Sequence, residues 1–162
     1  MFATRIKQGM MGGVMGGVVF GAMMGAMGML PMIGNMVGQP NAVVGFLVHM
    51  MMSAGIGAGY GLVLGSFASS NGKALVSGFA YGVFWWLLGP LTMMPLMMGM
   101  GFGVNWNMTA AAGMMPSLMG HIVFGLVLGF VYSRGENCFL AKLFQLGGQK
   151  KQDVDRPTPR VV

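Results

Sequence analysis

The chain has 162 residues, of which 55% are hydrophobic and only 7% are charged, and its formal net charge is +6. A water-soluble domain carries about 25% charged residues, so this chain has too few charges to cover a surface exposed to water. The basic residues flank apolar stretches, which is typical of an oriented membrane protein, and we therefore exclude nucleic-acid binding. The single cysteine, Cys138, excludes an intramolecular disulfide and a cysteine-based metal cluster.

Two long stretches contain no Asp, Glu, Lys or Arg, one from Lys7 to Lys73 and the other from Lys73 to Arg134. Each is too long for one membrane-spanning helix and suits two, since a span needs about 20 apolar residues. The sequence therefore predicts an all-α integral membrane domain over residues 1–133. Its four spans are expected at about residues 9–32, 41–68, 74–98 and 109–133, the last of them bent at Pro116.

The basic residues also predict an orientation. In this arrangement Arg5, Lys7, Lys73, Arg134 and Lys142 fall on one side of the membrane, and the loops on the other side carry no charge. Because Lys and Arg favour the cytoplasmic side in short loops, both termini are predicted to be cytoplasmic. The expected location is the inner (cytoplasmic) membrane of a cell, with the lipid bilayer around the spans.

The character of the sequence changes after Ser133. Residues 134–146 carry apolar side chains at helical spacing between Lys142 and Gln145, which predicts a short amphipathic segment on the cytoplasmic surface. Residues 147–162 are polar and contain two prolines, so this tail is expected to be disordered unless a partner holds it.

The sequence also predicts an internal duplication. Residues 61–65, GLVLG, recur as residues 125–129, and the same offset of 64 aligns Pro31 with Pro95. The predicted architecture is therefore a four-helix bundle built from two tandem helical hairpins of equal orientation. In this register His121 aligns with Gly57, so it should lie about eight residues, or roughly 12 Å, deeper than His49.

Glycines recur every fourth residue in three of the predicted spans. Residues four apart share a helix face, and a face of small residues lets two helix backbones approach closely in lipid. We therefore expect helix packing, within the bundle or against a partner, at Gly13, Gly17, Gly21, Gly25, Gly57, Gly61, Gly65, Gly125 and Gly129. A flexible helix pair that slides during transport is the alternative. In the predicted third span Tyr81 and Trp85 align with Gly17 and Gly21. Either these aromatics fill the glycine groove of the first helix within the monomer, or the groove receives a helix from a partner. We expect the first helix to pack against its own bundle and also against another subunit.

The 22 methionines are the most unusual feature of the composition. Methionine is a flexible apolar residue that fills irregular gaps, and we favour that role between glycine-rich helices. Its thioether is also a soft ligand that suits Cu(I), which makes a copper path the alternative.

The two histidines, His49 and His121, are the candidate cofactor-binding residues, because an ionisable side chain inside a span is a functional candidate. We favour histidines that are hydrogen-bonded within the bundle. Haem ligation, a proton or ion role, and contact with a partner's cofactor are the alternatives, although the predicted difference in depth opposes a haem shared by both.

No enzyme is predicted, because the only acids, Glu136, Asp153 and Asp155, lie outside the spans and no nucleophile with a base is evident. The prediction names no catalytic residue, no metal site and no cofactor.

Residues 121–132, HIVFGLVLGFVY, resemble the last helix of small YagU-like membrane proteins and similar families of uncharacterised four-span prokaryotic proteins. The resemblance implies location and architecture and no activity. The favoured function is a structural or accessory subunit of a larger membrane complex, such as a respiratory or photosynthetic one. The alternative is a small membrane transporter or a metal-handling protein, for copper or haem.

Overall fold

The structure, a computed structural model, describes the backbone of residues 2–154 and the side chains of residues 2–135. This part of the chain is helical and contains no strand. Four helical stretches are long and apolar enough to cross a membrane, at Phe2–Ala26, Ala42–Val63, Asn71–Met97 and Met115–Gly135. The prediction of an all-α protein with four spans is confirmed, and the chain is accordingly a multi-pass membrane protein.

The first span is shorter at its C-terminal end than predicted. Helix α1 covers Phe2–Ala26, and a second helix, α2, covers Leu30–Asn35. Between them Gly28 has a φ of +68°, and the Met29 N–H donates to the Met24 carbonyl oxygen at 2.9 Å. This glycine-terminated helix end satisfies the last carbonyl groups of α1, and α2 then packs against the third helix. The predicted continuous helix over 9–32 is therefore wrong beyond residue 26.

The second and third spans begin at side-chain caps. Helix α3 covers Ala42–Val63, and the Asn41 Oδ1 accepts a hydrogen bond of 2.8 Å from the Val43 N–H. Helix α4 covers Asn71–Leu88 behind a Ser70 cap. A π-helical turn at Gly89–Met93 and a short helix, α5, at Met94–Met97 extend α4, as expected where Pro90 and Pro95 remove backbone donors.

The fourth span is broken close to its predicted bend. Helix α6 covers Met108–Gly113 and helix α7 covers Met115–Val154, so the break falls at Met114, two residues before Pro116. Helix α7 continues without interruption past the membrane-spanning length. Residues 147–154, for which the sequence predicts a disordered tail, are therefore helical, and residues 155–162 lie outside the described part of the chain.

Glycines hold the helices together in two antiparallel pairs. In the pair of α1 and α3, a Cβ on Gly57 would meet the Gly9 carbonyl oxygen and lie 2.7 Å from the Gly13 Cα. In the pair of α4 and α7, a Cβ on Gly125 would meet the Gly78 carbonyl oxygen and lie 3.1 Å from the Gly82 Cα. No side chain larger than hydrogen fits at these crossings, as expected of helices that associate in lipid by close backbone packing.

Helix α1 is in contact with two neighbours through two glycine faces. Gly13 and the glycines four residues away from it face α3. Gly12 and Gly16 face α7 instead. A Cβ on Gly12 would lie 2.9 Å from the Leu128 carbonyl oxygen, and a Cβ on Gly16 would lie 2.8 Å from the Phe124 carbonyl oxygen. The two glycine faces are therefore used inside the chain, and the expected contact of α1 with another subunit stays a prediction.

The packing contacts do not follow the predicted 64-residue offset. Gly57 of α3 and Gly125 of α7 occupy equivalent places in the two helix pairs. Gly61 and Gly129 are equivalent as well, since each lies beside a backbone carbonyl of the partner helix, that of Arg5 and that of Ala74. These equivalent residues of α3 and α7 are 68 positions apart. The register of the second hairpin is consequently shifted by one helical turn, and in this register His49 corresponds to Ser117.

One end of the bundle carries the basic residues. The antiparallel contacts place Arg5 beside Gly61 and put Ala74, next to Lys73, beside Gly129. A tyrosine cluster of Tyr60 and Tyr132, both fully buried, closes this end. The Tyr60 hydroxyl donates to the Ala74 carbonyl oxygen at 3.1 Å. Arg134 lies at the same end, because Gly135 contacts Gln8 of α1.

Candidate functional site: a methionine-lined cavity inside the bundle

The two helix pairs are joined mainly by α1 and α7, whereas α3 and α4 are scarcely in contact. A cavity of about 670 Å³ lies in the resulting space, lined by α3 on one side and by α4, the π-helical turn and α5 on the other. Residues of α1, α2 and α7 complete its walls. Its size is typical of sites that bind small molecules.

The cavity wall is rich in methionine. Nine of the 22 methionines line it. They come from both helix pairs and from the short segments between the spans, and they are Met24, Met29, Met32, Met36, Met52, Met93, Met94, Met97 and Met114. The sequence did not place these side chains together, since they are scattered over 91 positions.

Both histidines reach this cavity. The ring of Phe20, on α1, contacts the His49 imidazole with ring centroids 5.3 Å apart and the His121 imidazole with centroids 4.8 Å apart. One phenyl ring therefore contacts both imidazoles, and the predicted depth difference of roughly 12 Å is wrong. The physical reason is the shifted register, which leaves the two histidines only one helical turn apart along the bundle.

The hydrogen bonds of His49 determine its tautomer. Its Nε2 lies 3.0 Å from the Gly17 carbonyl oxygen, so in the neutral ring this nitrogen carries the proton and donates it. The Ser53 hydroxyl lies 3.4 Å from the same nitrogen. The other ring nitrogen, Nδ1, consequently keeps a lone pair, and it has no hydrogen-bond partner among the described residues.

His121 has the opposite tautomer. Its Nδ1 lies 2.8 Å from the Ser117 carbonyl oxygen and donates to it, which leaves the lone pair on Nε2. An imidazole oriented by a backbone carbonyl at one nitrogen is typical of metal-binding histidines, in which the second nitrogen is the ligand. Both histidines line the cavity, and each keeps one acceptor nitrogen that makes no hydrogen bond to the described residues.

Two aromatic residues of α4 form the wall near the tyrosine cluster. The Tyr81 hydroxyl donates to the Ile56 carbonyl oxygen of α3 at 2.9 Å. Trp85 packs against Tyr81, and its buried indole Nε1 makes no hydrogen bond to any described residue. These aromatics line the cavity between α3 and α4, so they do not fill the glycine face of α1, which was one explanation considered from the sequence.

Most of the predicted glycines lie at close contacts between helices. Gly13, Gly17, Gly57 and Gly61 lie at the α1–α3 crossing, and Gly125 and Gly129 lie at the α4–α7 crossing. Of the others, Gly21 contacts Phe46, Gly65 contacts Tyr132, and Gly25 is only in ordinary contact with Leu30.

Sequence reasoning did not single out Phe20 and Gly120, which position the histidines. A Cβ on Gly120 would overlap the Phe20 ring, so this glycine makes the space in which that ring reaches both imidazoles. Gly120 lies outside the stripe of small residues on α7. In the sequence, only its position next to His121 could have indicated its role.

Within the described residues, no group of three or more His, Cys, Asp or Glu side chains could hold a metal ion. That donor set does not include thioethers, which are the most frequent donor atoms around this cavity. Comparison with protein-family models, curated proteins and solved structures found no match to the chain. The resemblance to YagU-like proteins therefore stays a prediction.

Proposed function

We propose that this chain is a small-ligand-binding membrane protein that takes up its ligand between the two helix pairs, as a transporter or a metal-handling protein. The cavity of about 670 Å³ with both histidines in its wall is the observation that carries the proposal. The cavity is open on one side, where Met52 and Met97 in its wall are 44% and 56% exposed, and an apolar space of this size with a few polar groups is typical of a small-molecule site.

The orientation belongs to the same proposal. Arg5, Lys73 and Arg134 lie at the end of the bundle closed by the tyrosine cluster, and the cavity extends toward the opposite, uncharged end. By the preference of basic residues for the cytoplasmic side, we place the charged end and both termini in the cytoplasm of a cell with the protein in its inner membrane. The ligand would then be closer to the outer face.

A cavity-filling variant tests the proposal. Gly55 lines the cavity, and a Cβ added there meets nothing within 4 Å. The Gly55→Leu variant should fold normally but should lose a ligand that co-purifies with the wild-type protein or raises its unfolding temperature. Native mass spectrometry in detergent and a thermal-shift screen of metals and small apolar molecules would detect such a ligand. Unchanged binding in Gly55→Leu, or a wild-type protein that binds nothing in either assay, would contradict the proposal.

A structural or accessory subunit of a larger membrane complex is the second candidate. It is supported by the outward face of α1, where Met11 and Met15 are 54% and 51% exposed and need cover from lipid or from another subunit. Gentle solubilisation of native membranes distinguishes the two functions. A free monomer favours the ligand-binding protein, whereas co-migration with the same partner proteins in every preparation favours the subunit.

A further inference from the structure

We propose that the cavity binds Cu(I), with the Nδ1 of His49 and the Nε2 of His121 as nitrogen ligands and cavity methionine sulfurs as the remaining ligands. This inference rests on the proposed function, because it requires the cavity to be a ligand site. The sequence favoured no metal, and the arrangement of donor atoms around the cavity is what changes that conclusion.

The nitrogen ligands are available without disturbing the fold. His49 and His121 each donate one ring N–H to a backbone carbonyl oxygen, at 3.0 Å and 2.8 Å, and each retains a lone pair on the other nitrogen. The Phe20 ring restrains both imidazoles from one side. Metal-binding histidines are oriented by the same kind of carbonyl contact, which holds the ring and its tautomer before the metal arrives.

The sulfur ligands are concentrated around the same space. Methionine makes up nine of the 25 residues that line the cavity but 22 of the 162 residues in the chain. These side chains line a partly open space of about 670 Å³ and leave it unfilled. Their concentration around an open space is better explained by a ligand that thioethers bind.

The charge of the cavity selects the ion. The three acids of the chain are Glu136, Asp153 and Asp155, so residues 1–135 contain no carboxylate side chain. A hard or divalent cation such as Mg²⁺ or Ca²⁺ would find no anionic oxygen ligand there. Neutral imidazole and thioether donors suit a soft monovalent ion, and Cu(I) is the biological ion of that class.

Direct titration of the full chain tests the inference. The purified protein is titrated anaerobically in detergent with Cu(I) in competition with a chromophoric Cu(I) chelator, and with Ag(I) as a redox-inert substitute. X-ray absorption of the Cu(I)-loaded wild-type protein then identifies the donor atoms without any variant. We expect at least one bound Cu(I) per chain, with both nitrogen and sulfur in its coordination sphere.

Matched variants assign the ligands. His121→Gln should weaken Cu(I) binding by about tenfold or more, since loss of even a residue that only hydrogen-bonds to a metal ligand typically costs 10–100-fold in metal affinity. Three cavity methionines lie close in sequence to these rings: Met24 four residues after Phe20, Met52 three after His49, and Met114 seven before His121. The combined variant Met24→Leu, Met52→Leu, Met114→Leu should weaken binding as strongly. The control replaces Met10, Met11 and Met15, on the outward face of α1, with Leu and should bind like the wild type.

Several results would overturn the Cu(I) site. They are a stoichiometry below one, a coordination sphere without nitrogen or without sulfur, and an equal loss of affinity in the control variant. Methionine-to-leucine changes conserve volume, so these variants should fold and give an interpretable result. If Cu(I) fails to bind while another ligand is lost from Gly55→Leu, the copper inference fails and the proposed function stands.

Discussion

The Tyr81 hydroxyl donates a hydrogen bond of 2.9 Å to the carbonyl oxygen of Ile56 and thereby joins α4 to α3 beside the cavity. Because these two helices otherwise scarcely touch, this bond and the Tyr60 contacts at the charged end hold the cavity wall together.

Replacing Tyr81 with Phe should loosen that wall. A hydrogen bond between membrane helices contributes about 0.6 kcal/mol on average and at most about 1.7 kcal/mol, so we expect a loss in this range. Reversible unfolding in mixed detergent micelles measures it. Tyr60→Phe should cost at least as much, because the Tyr60 hydroxyl is fully buried and contacts both the Ala74 carbonyl and, at 2.7 Å, the Ser77 hydroxyl. A Tyr81→Phe variant as stable as the wild type would show that the bond does not hold the wall.

A methyl group added at Gly57 should force α1 and α3 apart. Its Cβ would overlap the Gly9 carbonyl oxygen and lie 2.7 Å from the Gly13 Cα, and neither backbone can move aside locally. We expect Gly57→Ala to destabilise the protein by about 1–3 kcal/mol, the usual cost of overpacking.

Gly55, half a turn away on the same helix, supplies the control for that experiment. Nothing lies within 4 Å of its added Cβ, so Gly55→Ala should be neutral or stabilising by up to about 1 kcal/mol, since alanine favours a helix more than glycine does. Equal effects of the two substitutions would refute the described α1–α3 crossing.

Replacing Gly120 with Ala should move the Phe20 ring away from the histidines. The added methyl would overlap that ring, whose Cζ lies 2.7 Å from the Cβ position. The imidazole proton resonances of His49 and His121, which the ring current of Phe20 shifts, should therefore change together. Gly113→Ala is the control, because its Cβ meets nothing within 4 Å. Unchanged imidazole resonances in Gly120→Ala would contradict the contact of Phe20 with both imidazoles.

Cysteine labelling tests the orientation. In a background with Cys138→Ser, a membrane-impermeant maleimide added to intact cells should label Gln39→Cys and Val104→Cys, which are exposed at the uncharged end. It should label Lys73→Cys only after the cells are opened. The neighbouring Gly38 and Gly103 are less suitable for a cysteine, because their φ values of +73° and +74° disfavour any residue with a side chain. The reverse pattern would place the termini outside.

Hydropathy and charge were sufficient to predict four spans, because the cost of burying a charged group in lipid acts on each segment independently of the others. The sequence also contains a signal for the end of one helix that the prediction did not use. The end of α1 follows from Gly28 with Pro31 shortly after it, a combination typical of a helix terminus, although the predicted span ran past both.

The sequence by itself thus determined the number of spans, the segregation of the basic residues and the glycine faces that allow close packing. It did not determine the register of the helices, which is the position of each helix along the axis of its neighbour. Small residues at every fourth position look the same after a slip of one turn, so the pattern alone could not distinguish an offset of 64 from one of 68. Only the interlocking of particular atoms, such as the Gly57 backbone between Gly9 and Gly13, decided the register. That register brought His49 and His121 to one phenyl ring and gathered scattered methionines around one cavity.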